Sequence, residues 1–152
     1  MIDTIISMEE RVLLIIKEFF EGIEEKEPFQ MELMDLKLRF KAKLLEIITS
    51  YPTEPEIASR GLDYVLEGVE RVIREEIEKV NLESEESLLR TMETLKAVGD
   101  VLKEFMHEDR VRDKRKLSST VGFIGNSVEK LATEHKKRFG GIVRRIKKLF
   151  SI

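Results

Sequence analysis

Apolar residues recur every three to four positions along the whole chain, the repeat of a helix, and nowhere alternate one by one as a half-buried strand requires. The pattern predicts an all-α fold: an up-and-down helical bundle of four helices, then a long basic C-terminal helix or two helices split at Gly140-Gly141. The first helix opens at the capping box Ser7-x-x-Glu10, or a turn earlier at Asp3. It carries two apolar rows, one of Ile5, Met8, Val12, Ile15, Phe19 and Ile23, the other of Ile6, Leu13, Ile16 and Phe20. Together they cover about half the circumference, which suits a helix near the bundle centre with several neighbours.

Pro28 breaks the chain and fits the first turn of the second helix, whose stripe is Leu33, Leu36, Phe40, Leu44, Ile47 and Ile48. After Tyr51-Pro52, the run Thr53-Glu54-Pro55-Glu56 joins a capping box to a first-turn proline, where the missing N–H costs nothing. The third-helix stripe is Ala58, Leu62, Val65, Val69, Val72, Ile73, Ile77 and Val80. Gly61 and Gly68 stand one heptad apart beside it, and each costs about 1 kcal/mol against Ala, so close approach of another helix is the expected compensation. Ser84, Glu85 and Glu86 start the fourth helix, which buries Leu88, Met92, Leu95, Val98, Leu102, Phe105 and Met106.

The last region differs. Leu117, Val121, Ile124, Val128, Leu131, His135, Phe139, Ile142, Ile146 and Leu149 form a narrow seam that suits coiled-coil pairing. An unbroken helix from about Asp113 would be about 55 Å long, against about 35 to 40 Å for the others. Ser118-Ser119-Thr120 with Gly122 and Gly125 mark a soft stretch, where hydroxyls can cap a restart or meet phosphate and glycines permit close packing or a bend. His135, on the seam, reads as a core histidine.

Charge changes the picture more than composition does. Residues 1–109 hold 27 Asp+Glu against 14 Lys+Arg, whereas residues 110–152 hold 3 against 13, so a net charge of −3 conceals an acidic bundle and a basic helical arm within one domain. Such asymmetry points to nucleic acid, an acidic protein surface or an anionic membrane surface. The cations fall into three clusters: Arg110, Arg112, Lys114, Arg115 and Lys116; Lys136, Lys137 and Arg138; Arg144, Arg145, Lys147 and Lys148. A basic face set along phosphates, without base selectivity, is the leading expectation. In a second reading the same cations lie over the acidic helices of the chain or of a neighbour in a homo-oligomer. In a third, residues 139–152 form an interfacial amphipathic helix whose seam (Phe139, Ile142, Ile146, Leu149, Phe150) meets either another copy or a membrane surface.

With no cysteine among 152 residues, disulfides and thiolate metal sites are excluded, and no phosphate loop or nucleophile–base pair is visible. The longest apolar run, Val12 to Ile16, is far short of a membrane span. A cytoplasmic location is expected. Charged residues make up 38% of the chain and Asn, Gln and Cys are scarce, a thermophile-like composition. Glu104-x-x-His107 has the spacing of di-iron bundle ligands, but such sites need two copies facing inward. Glu18-x-x-Glu21 and Glu32-x-x-Asp35 loosely resemble the carboxylate pairs of all-α nucleotide pyrophosphohydrolases. Thirty acids on helices generate such pairs by chance, so no family is assigned and neither enzymatic activity, cofactor, metal nor small-molecule substrate is expected.

Overall fold

The computed structural model describes residues 2–21, 29–49 and 55–140. They form five helices and no strand: α1 (Ile2–Glu21), α2 (Phe29–Thr49), α3 (Pro55–Glu78), α4 (Glu85–Phe105) and α5 (Arg115–Phe139). The all-α bundle read from the apolar period is therefore the fold. Two starts follow their expected chemistry. Pro55 is the first residue of α3, and Ser84 caps α4 by accepting the Ser87 N–H at 3.2 Å.

Cross-helix partners give the directions. Lys37 and Lys41 of α2 meet Asp100 and Glu104 of α4, rising together, so these helices are parallel. Glu70 and Arg74 of α3 meet Thr120 and Phe123 of α5, also in step. On α4, by contrast, Glu85 faces His135 and Gly99 faces Ile124, so α4 and α5 run opposite ways. The most extensive packing is α4 on α5, followed by α1 on α3 and α1 on α2.

Phe40, Ile16, Leu44, Ile47, Leu62, Leu66, Ile73, Leu88, Leu95, Leu102 and Leu117 are fully buried. The interior thus draws on all five helices, and Leu117, Ile124 and Leu131 bring α5 into it. α3 is packed by α1, α2 and α5, so its buried arc exceeds the predicted stripe and includes Leu66 and Glu70. The close approach expected at the glycines is seen at Gly68. A Cβ there would stand 2.9 Å from Glu9 Oε1 and 3.2 Å from Leu13 Cδ2.

Of the two alternatives for the last region, the helix that stops at the glycine pair is the one seen: α5 ends at Phe139, because Gly140 adopts φ 79°, a left-handed conformation that glycine reaches without a Cβ clash. The Gly140 N–H donates to Lys136 O at 2.9 Å to close the last turn. At 25 residues α5 is about 37 Å long, close to its neighbours. Nor does α5 restart at Ser118-Ser119-Thr120, through which it runs as one helix. Residues 141–152, and with them Arg144, Arg145, Lys147, Lys148, Ile142, Ile146, Leu149 and Phe150, lie outside the described residues.

Candidate anion-docking surface on the last helix

The turn that delivers α5 is built from ionic contacts between near neighbours. Glu108 accepts from the Arg110 guanidinium at 2.8 Å, and this, with the Arg110 backbone N–H, holds its carboxyl below the usual range. Asp113 accepts from the Arg115 side chain at 2.8 Å and from the Arg115 backbone N–H at 3.0 Å. These two bonds lower the Asp113 pKa to about 2, and the carboxylate caps the helix that Lys114, with no capping side chain, cannot cap.

The next turn is fixed to the bundle by a buried polar cluster. Glu70, 7% exposed, accepts from Thr120 Oγ1 at 2.9 Å and from Lys116 Nζ at 3.3 Å, with Arg74 3.6 Å away. Arg74 also lies 4.7 Å over the Phe123 ring. The apolar period of the sequence passes over this cluster, because Glu70 and Thr120 are 50 residues apart and nothing local pairs them. Further along, the seam is internal: Leu131 and His135 are buried, and half-buried Phe139 packs on the core. His135 Nε2 stands 3.8 Å from Glu85 Oε2, and its ring is 5.5 Å from that of Phe139.

The outward face of α5 is different in kind. Ser118, Ser119, Gly122, Gly125 and Asn126 are all exposed, and a Cβ at either glycine would meet nothing within 4 Å. The small residues thus line an open surface rather than a helix contact. Three- and four-residue steps continue this face through Glu129 and Thr133 to Lys136 and Lys137.

The basic clusters are thereby divided between the two ends of α5. Arg110, Arg112, Lys114, Arg115 and Lys116 gather at its start; Lys136, Lys137 and Arg138 gather at its close. Four of these eight have carboxylate partners: Arg110 with Glu108, Arg115 with Asp113, Lys116 with Glu70, and Arg138 with Glu134 at 3.3 Å. Of those four, only Lys116 reaches across to another helix. Arg112, Lys114, Lys136 and Lys137 have no ion pair among the described residues.

Elsewhere, Glu104 pairs with Lys41 at 2.9 Å, His107 is exposed in the turn beyond α4, and the described residues contain no cluster able to hold a metal. No described helix is long and apolar enough to cross a membrane. An open groove of about 580 Å³ lies between α2 and α4, walled by Met34 and Leu38, which the single-stripe reading of α2 did not find. Their spacing was the available signal. No protein-family model, curated protein or solved structure matches this chain.

Proposed function

We propose that this chain is a non-enzymatic helical binding module whose last helix docks on nucleic acid. The observation that carries the reading is the group of cations without ion pairs, Arg112 and Lys114 at one end of α5 and Lys136 and Lys137 at the other. From Lys116 to Lys136 the helix rises about 30 Å at 1.5 Å per residue, too far for one small anion to bridge. A duplex presents one phosphate charge per about 1.7 Å of axis and spans both ends with ease. Ser118, Ser119, Gly122, Gly125 and Asn126 between them are small and mostly uncharged, so a bulky polyanion can approach the backbone closely. Phosphates, not bases, are the groups such cations recognise.

The test is fluorescence anisotropy of a labelled duplex against the full chain over a salt series. Affinity should fall with a log–log slope of about −0.9 per neutralised phosphate, and Lys136→Gln with Lys137→Gln should each reduce that slope by about one. Binding that is unchanged between low and moderate salt would refute the proposal.

A further inference from the structure

Two turns of helix take about 7.2 residues, so steps of seven along α5 stay on one line of its surface. Lys116, Phe123, Lys130 and Lys137 occupy such a line, on the flank of α5 that borders α3. Three of the four are cations. The fourth carries one, because the Arg74 guanidinium of α3 lies 4.7 Å over the Phe123 ring with 60% of its side chain exposed. A positive charge therefore stands at every step, about 10.5 Å from the next. Neither Arg74 nor Lys130 belongs to a basic cluster of the sequence.

The neighbouring carboxylates do not cancel this line. Glu70 sets one negative charge against two positive ones, Lys116 at 3.3 Å and Arg74 at 3.6 Å, and its other oxygen is bonded to Thr120. One positive charge is left over. Arg74 presents it, since the Lys116 side chain is only 23% exposed. Glu134, beside the line on α5, is taken by Arg138 at 3.3 Å. Lys130 and Lys137 are exposed and have no ion pair among the described residues. On α3 the exposed Glu67 and Glu78 stand before and after Arg74, so the positive strip is narrow and follows α5.

We infer that a nucleic-acid phosphate backbone runs along this line, with Arg74 and Lys130 as its contacts between the two basic ends of α5. The inference rests on the nucleic-acid reading above and extends it: the ends alone leave about 30 Å of backbone without a cation, and the line supplies one at each third of that length. Phe123 and Glu70 already hold Arg74 in place, so it loses less side-chain freedom than a free lysine when a phosphate arrives. The test is anisotropy of a labelled duplex against the full chain over a salt series, with the fold checked by circular dichroism. Arg74→Gln and Lys130→Gln should each lower affinity about fivefold at about 0.1 M salt and reduce the log–log slope by about one. Lys17→Gln, which removes an exposed cation of α1, should change neither. Phe123→Leu should weaken binding about threefold in the parent chain and not at all in the Arg74→Gln background; an equal loss in both would remove Arg74 from the line. If Lys136→Gln lowers the slope while Arg74→Gln and Lys130→Gln leave it unchanged, the line is overturned and docking at the helix ends stands. A parent chain with no salt-dependent duplex binding would overturn both.

Discussion

Replacing Gly68 by alanine sets two opposing effects against each other, and the structure decides between them. In an ordinary helix interior the change should stabilise by about 1 kcal/mol, since alanine restricts the unfolded chain and favours the helix. Here the new methyl would lie 2.9 Å from Glu9 Oε1 and 3.2 Å from Leu13 Cδ2. The Leu13 contact can yield by a few tenths of an ångström. The carboxylate cannot move so freely, because Glu9 is 7% exposed, accepts a hydrogen bond from the Tyr64 hydroxyl and lies 3.7 Å from Arg71. Displacing it forfeits a charged hydrogen bond of about 1.5 to 3 kcal/mol, so the net effect is destabilisation of about 0.5 to 2 kcal/mol. For a domain of this size that lowers Tm by about 1 to 8 °C. Gly125→Ala is the matched control: exposed, in mid-helix and with nothing within 4 Å of the new Cβ, it should stabilise by about 0.5 to 1 kcal/mol. Urea unfolding followed by circular dichroism measures both. If Gly68→Ala proves as stable as the parent, the tight α1–α3 approach is not what this glycine serves.

Two further outcomes are expected. Thr120→Val should destabilise by about 1 to 3 kcal/mol in the same urea titration, because it withdraws the 2.9 Å donor from the buried Glu70 carboxylate while keeping the shape of the side chain. Asp113, with its folded pKa of about 2 below the unfolded 3.8, contributes stability that is present above pH 3.8 and is lost as pH falls through 2. NMR titration of its carboxyl should show this, and Arg115→Gln should move the titration back toward the ordinary carboxylate range; an unmoved midpoint would show that the backbone N–H alone holds it.

The apolar period was enough to place all five helices, because each buries one face and the burial repeats with the turn. It understated α3 for the same reason. A helix packed by three others buries more than one stripe, so Leu66 and Glu70 are inside although the spacing rule passed over both. Glu70 could not be read from its neighbours, since its burial depends on Thr120 and Lys116, respectively 50 and 46 residues away. The basic clusters were legible as composition, and the Arg138 pairing with Glu134 follows the i, i+4 rule. Arg110 and Arg115 were not, because each folds back on a carboxylate two residues upstream in a turn, where helical periodicity says nothing. The outer pair of α2, Met34 and Leu38, was present as a spacing of four, but a search for one amphipathic stripe stops at the first.

Leu117, Ile124 and Leu131 help close the interior, so the basic segment is a wall of the building and not a porch. A peptide copied from α5 would leave those three leucine and isoleucine side chains in water, and the cation spacing that depends on the helix would go with them. Occupancy of that wall and integrity of the fold are thermodynamically linked: any ligand held only by the native chain at 100 times its Kd adds about 2.7 kcal/mol to the unfolding free energy. A rise in melting temperature on titration with a polyanion is therefore a binding isotherm, readable without a label.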